Sequence, residues 1–230
     1  IQTCALPICR QVAEAGYHAL VVSDLTNVRW LSGFTGSNGV LVVAADRIDL
    51  LTDGRYGEQA RRQLVSAGLD ADVVVSTSVA GLTADLATAC RRAGHAIGIE
   101  AEHVSIATQE RWAKATRHGF AWTVGLVEDG RRRKDDDEVA TIERACRIAD
   151  RALAGVAPSL ADGITEVEVR NRLEVALRDL GASGPSYETI VASGPQHPAL
   201  PHHRPVDRRI VDGDLVIIDV GALVDGYHSD

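Results

Sequence analysis

The 230-residue chain contains no methionine, at its start or anywhere else. A gene product of this size is therefore expected to be a piece of something longer. The chain also lacks an uninterrupted basic patch. Its single basic run, Arg131-Arg132-Arg133-Lys134, is followed at once by Asp135-Asp136-Asp137-Glu138, and the formal net charge is -8. Nucleic acid is bound chiefly through clustered Lys and Arg, so no nucleic-acid partner is expected. No apolar stretch approaches the roughly 20 residues a membrane-spanning helix needs. No secretory signal is visible either, so a cytoplasmic protein without a membrane partner is the expectation. The four cysteines, Cys4, Cys9, Cys90 and Cys146, form no CxxC and no zinc-type spacing. Cys90 and Cys146 sit in helical patterns beside apolar residues and read as buried free thiols. Low-complexity tracts and internal repeats are absent.

What is present is a globular composition, 45% hydrophobic and 24% charged, long enough for one large domain or two small ones. Residues Ile1 to Ile8 read like the translation of a sequencing adapter and are set aside as a non-native leader. From Gln11 to about Gly125 strands and helices interleave. Short apolar runs at 18–22, 40–45, 48–52, 72–76 and 97–100 suit buried strands, the second and third joined as a hairpin across Asp46-Arg47. Helical spacing occupies 55–65, 82–92 and 106–117. This alternation predicts a layered α/β domain over residues 9–126.

The charged segment 127–134 suggests a linker, and a second unit follows over residues 135–230. Asp135–Asp137 are placed to cap a helix, whose buried stripe is expected to be Val139, Ile142, Cys146, Ala149 and Leu153. Thr165-Glu166-Val167-Glu168 is a capping-box pattern. It opens a helix with an apolar face of Val169, Leu173, Ala176 and Leu180, which Gly181 ends. Residues 189–192 and 215–218 are strand-like.

The strongest chemical signal lies at residues 213–230. Asp225-Gly226 between apolar runs signals a tight hairpin. With those two at the turn centre, Val224 faces Tyr227, Leu223 faces His228, Ala222 faces Ser229 and Gly221 faces Asp230. Side chains alternate along a strand, so Asp219 and Asp230 become diagonal neighbours on one face, about 7–8 Å apart at Cβ. Two carboxylates there would repel each other, and a pair of divalent cations removes the conflict. Geometry alone leaves a second reading open, in which one Asp ends a strand and the other is solvated. His202 and His203, adjacent in the proline-rich loop 197–205, are placed to hydrogen-bond an oxyanion or shuttle a proton. Taken alone, exposed loop histidines are more often silent. His95, His103 and His118 have no partner in sequence and read as structural or surface residues.

Several ordered motifs together resemble the metallopeptidase family that includes aminopeptidase P and prolidase. Ser186-Tyr187-Glu188-Thr189-Ile190-Val191-Ala192-Ser193-Gly194 resembles the strand leading into that family's site, and His202-His203-Arg204-Pro205 its HxxP element. Ile218-Asp219-Val220-Gly221 and Gly226-Tyr227-His228-Ser229-Asp230 resemble the strands bearing its first two metal-ligand aspartates. Asn27-Val28-Arg29-Trp30-Leu31-Ser32-Gly33-Phe34-Thr35-Gly36-Ser37-Asn38-Gly39 with Thr52-Asp53-Gly54-Arg55-Tyr56 resembles the creatinase-type N-terminal domain. The implied fold is an α/β creatinase-type domain followed by the incomplete start of a pita-bread α+β metallopeptidase domain. The resemblance implies metal ligation by Asp219 and Asp230, with Asp230 bridging two divalent ions, Mn²⁺ first and Co²⁺ or Zn²⁺ otherwise. It further implies His202 as the catalytic histidine near the scissile carbonyl, His203 as its neighbour in substrate binding, and a metal-bridging hydroxide as nucleophile. Substrates would be proline-containing peptides cut at Xaa-Pro bonds, and the full-length protein would be a homodimer.

The chain departs from the pattern where His197 replaces an Asn and Trp30 a Tyr. The family's remaining His and two Glu ligands would lie beyond Asp230, so the isolated chain is expected to be inactive. The competing readings are a non-catalytic peptide- or protein-binding relative and a metal-independent amidinohydrolase. The retained aspartate pair weighs against both.

Overall fold

A computed structural model describes residues 5–230, without the side chains of residues 5, 6, 161 and 162. The chain divides into two compact units, one ending at Arg133 and the other running Lys134–Asp230. Among the described residues no helix is long and apolar enough to cross a membrane.

The first unit contains α1 (Ala5–Glu14), β1 (Ala19–Val22), α2 (Leu25–Ser32), β2 (Gly39–Ala44), β3 (Ile48–Asp53), α3 (Gly57–Ala67), β4 (Asp72–Ser76), α4 (Val79–Ala93), β5 (Ile97–Glu100), α5 (Ile106–Thr116), β6 (Ala121–Thr123) and α6 (Glu128–Arg132). The strands form one mixed sheet in the order β4-β3-β2-β1-β5-β6. The expected hairpin is there, with Val43 opposite Ile48 and Gly39 opposite Thr52. Strands covered on both faces read as continuous apolar runs, not as alternating ones, and every residue of β1 and β2 is buried. Leu20, Val22, Leu41 and Val43 pack with Val12, Val28, Leu31 and Leu64. Val21, Val40, Val42 and Leu51 pack with Leu86, Cys90 and Trp112 on the opposite face. Burial pushes the Cys90 thiol up to about 12, an inert structural thiol. Cys9, also free and buried, is raised for the same reason.

The N-terminal motif residues have packing roles. Phe34 lies so close over Gly36 and Gly39 that a Cβ would sit 2.2 Å and 2.7 Å from its ring. Buried Asn27 donates to Glu100 (2.8 Å) and Glu128 (2.5 Å) and accepts from Arg131 (2.8 Å). The segment expected to be a linker is helical at Glu128–Arg132 and tied to α2. Of the expected leader, residues 1–4 lie outside the described residues. Ile8 is helical and 1% exposed in the first core. His95 and His118 pack edge to face, and His103 lies 3.6 Å from Glu128.

The second unit contains α7 (Asp136–Val156), a 3₁₀ segment, α8 (Glu166–Asp179), β7 (Gly184–Pro185), β8 (Ile190–Ser193), a 3₁₀ turn at His197–Ala199, β9 (Val216–Asp219), β10 (Ala222–Val224) and β11 (Tyr227–His228). Both long helices open with a complete capping box, Asp135/Glu138 and Thr165/Glu168. The buried face of α8 is Glu166, Val169, Leu173 and Leu177, close to expectation. That of α7 is not. Its inward residues are Glu138, Ala145, Ile148, Ala152 and Val156, and Val139 is 43% exposed. The small alanines let α7 lie close against Leu177, Ala222 and Val224. The larger side chains Val139, Ile142 and Cys146 line an open apolar depression of about 500 Å³, and Cys146 is free and only half-buried. Ala145→Leu is accordingly expected to cost about 1–3 kcal/mol by overpacking, and Val139→Gln to stay within about 0.5 kcal/mol, both read by urea denaturation. The reverse ranking would return the stripe to its sequence-based position.

Candidate metal centre and its histidine loop

Asp225 and Gly226 both adopt positive φ, 50° and 84°, as a type I′ turn requires. The register follows: Val224 opposes Tyr227 and Leu223 opposes His228, and Ser229 donates its N–H to the Ala222 carbonyl at 3.0 Å. Arg144 pairs with Asp225 at the turn. On the other side β10 pairs with β7, and Ser186 N–H donates to the Gly221 carbonyl at 2.9 Å. A Cβ on Gly221 would lie 2.1 Å from the Ser229 carbonyl oxygen, so no larger residue fits between the strands. β8 and β9 are antiparallel, with Ile190 opposite Asp219.

These pairings bring Asp219 and Asp230 to a single group that sequence reading quoted but gave no role, the Tyr187 phenol. Its oxygen is 2.5 Å from Asp219 Oδ1 and 2.9 Å from Asp230 Oδ1. A phenol has one proton to give, so it serves one carboxylate at a time and the pair stays under-donated. Burial, then the two aspartates, raise the phenol above its ordinary range, and it remains a donor. Asp219 is half-buried and Asp230 exposed. Two carboxylates around one proton are a hard-oxygen donor set that suits Mn²⁺-type divalent ions. Gly221→Ala is expected to force the strands apart, cost about 1–3 kcal/mol and weaken divalent-ion binding in titration calorimetry. Unchanged stability together with unchanged binding would contradict this packing.

The two histidines separate. His202 is exposed, at φ 53° in the left-handed region. His203 is 9% exposed, with Nε2 at 2.9 Å from Glu166 Oε2. His197, noted in sequence only as a departure, places Nδ1 at 2.9 Å from Glu166 Oε1 and stacks on His203 with ring centroids 4.3 Å apart. Glu166, fully buried, also accepts from Ser193 N–H (2.7 Å), Ser193 Oγ (2.7 Å) and Val206 N–H (3.1 Å). No sequence signal marked it, because an acid one residue after an N-cap reads as a solvated partner of the helix dipole. Arg208 holds Ser193 from behind at 2.7 Å while bonded to both oxygens of Asp214.

Glu166, His197 and His203 offer metal-ligand atoms within 4.8 Å of one another. The carboxylate is nevertheless saturated by five donors at hydrogen-bond distance, which is how a buried charge is satisfied without an ion. Burial opposes its ionisation. The bonds from His197, His203, Ser193 and Val206 outweigh that and hold it at about 2, below an ordinary 4.5. A depressed carboxylate stabilises fully above its unfolded value and loses that contribution as pH falls through the folded one. The stability difference between the native chain and Glu166→Gln is expected to be about 3 kcal/mol above pH ~5 and to vanish between pH ~4.5 and ~2. Urea melts at stepped pH measure it, and a difference independent of pH would contradict it.

The two units define a two-domain protein, an α/β domain ahead of part of a pita-bread peptidase fold. The chain belongs to the Creatinase/Prolidase N-terminal domain family over its first unit, matched at residues 8–132, and its second unit matches Metallopeptidase family M24 at residues 140–230. It is 33% identical over 220 residues to an uncharacterized peptidase, YqhT, of Bacillus subtilis, covering 94% of this chain and 60% of that protein. A structure of Xaa-Pro dipeptidase from Bacillus anthracis superposes with a TM-score of 0.90 at 31% identity, over 98% of this chain and 62% of that one. For X-Pro aminopeptidase from Thermotoga maritima the TM-score is 0.85 at 29% identity, over 95% and 62%. The chain thus spans about 60% of the length of these three relatives.

Proposed function

We propose that the whole protein is an exopeptidase hydrolysing Xaa-Pro bonds, as a dipeptidase or an aminopeptidase, with two divalent ions held in part by Asp219 and Asp230. The observation that carries the reading is the convergence of these two carboxylates on the one Tyr187 hydroxyl. Bound divalent ions would supply Lewis-acid activation of water and of the scissile carbonyl. The chain's own part is to place the groups around them. Tyr187 fixes the facing oxygens of both aspartates, and Gly221 lets the strands approach closely enough for that to happen. His202, exposed next to the anchored His203, is assigned the hydrogen bond to the substrate carbonyl as negative charge develops there. His203 is assigned a part in holding that loop, because its ring is committed to Glu166.

The test is hydrolysis of an Xaa-Pro dipeptide and of a longer peptide beginning Xaa-Pro by the whole protein with Mn²⁺. Cleavage of the dipeptide alone makes it a dipeptidase, and release of the first residue from the longer peptide makes it an aminopeptidase. Asp219→Asn is expected to lower metal content and to reduce turnover by more than about 100-fold, beyond the loss seen when outer-shell partners alone are removed. Metal-loaded protein that leaves both peptides intact would overturn the proposal.

A further inference from the structure

The five residues between His197 and His203, Pro198 to His202, begin in the 3₁₀ turn, where Ala199 N–H donates to the Gln196 carbonyl (3.2 Å) and Leu200 N–H to that of His197 (3.0 Å). Both ends end on the same carboxylate. His197 is bonded to Oε1 of Glu166, and His203 to Oε2. The chain leaving the loop returns to that carboxylate through Val206 N–H, and β8 leads into the loop from Ser193, whose N–H and hydroxyl are bonded there as well. His202, immediately before the anchored His203, is held in a left-handed conformation. For a residue other than glycine that conformation costs roughly 1–2 kcal/mol and persists only where the surroundings enforce it.

We propose that Glu166 is a positioning residue: by gathering His197, His203, Val206 and Ser193 on one buried carboxylate, it fixes the loop that presents His202. The chemistry assigns the proton positions. An ionised carboxylate only accepts, so His197 must donate from Nδ1 and His203 from Nε2, which leaves His197 Nε2 and His203 Nδ1 free to accept when the rings are neutral. The stacked, nearly parallel rings (24° between planes) keep the two arms in register. Three-ligand metal binding is the weaker account of the same cluster, since an ion would have to displace donors that already fill both oxygens.

The role in turnover rests on the peptidase reading, and the clamp itself does not. Long-range ¹H–¹⁵N spectra of the histidine rings at neutral pH test the clamp directly. The expected result is the Nδ1–H tautomer at His197, the Nε2–H tautomer at His203 and a single sharp signal set for His202, which Glu166→Gln broadens or splits. Opposite tautomers, or a His202 already averaged in the native protein, would overturn the proposal. In the whole protein, Glu166→Gln is expected to lower kcat about 10- to 100-fold, as small misplacements of a reacting group do, with KM within roughly twofold and metal content unchanged. A folded variant with native kcat would overturn the role in turnover. If Glu166→Gln does not fold, His197→Ala removes one arm from a half-exposed position and is judged by the same two readouts. Native protein that shows the tautomers but no Xaa-Pro hydrolysis would sink the peptidase reading and leave the clamp standing.

Discussion

Taking the carboxylate of Glu166 out of water is unfavourable unless donors replace its hydration shell, and the second unit is arranged around that requirement. The donors come from β8, the His197 turn, His203 and the chain after it. Val191 of β8 also packs with Val169 and Leu173 of α8, so the buried charge and this apolar contact together fix where the end of β8 lies relative to the start of α8. Ile190 opposite Asp219 is set by the same strand whose far end, Ser193, is bonded to Glu166.

The candidate metal centre shows the opposite electrostatic condition. Glu166 has more donors than most carboxylates, whereas Asp219 and Asp230 share one phenolic proton. Low dielectric makes the satisfied network around buried Glu166 rigid, whereas Asp230 is exposed and Asp219 half-buried, so that pair stays accessible to solvent. Two acidic sites in one small domain thus read differently, although both contain residue types that ligate metals.

The first unit follows a simpler logic. Its central strands are apolar on both faces because helices cover both faces. Among its distinctive motif residues, Asn27 ties α2 to Glu100, Glu128 and Arg131, and Gly36 and Gly39 make room for the Phe34 ring. Such a motif can identify a domain without containing chemistry, since the residues it fixes are those for which backbone geometry leaves little choice.

Periodicity and turn chemistry determined much of this protein from sequence alone. The hairpin at Asp225-Gly226, its register, five of the six strands of the first unit, the Thr165 capping box and the N-cap acids at Asp135–Asp137 are predicted from local patterns; β6 and the Glu138 half of the first capping box are not. The same alternation predicts Asp219 and Asp230 on one face of one hairpin; the fold instead ends β9 at Asp219, places Asp230 just past β11 of another sheet, and brings both to Tyr187. Tertiary structure decided the rest. Which stripe of α7 turns inward depends on how closely Ala145 and Ala152 approach the neighbouring helix and strand, not on which residues are most apolar. Tyr187 reaches aspartates 32 and 43 positions away. Glu166 gathers partners 27 to 40 positions away, and no local pattern distinguishes it from a solvated helix-start acid. The sequence could nominate His202 and His203 as a pair. Only the fold separated them, exposing one ring and committing the other to a buried charge.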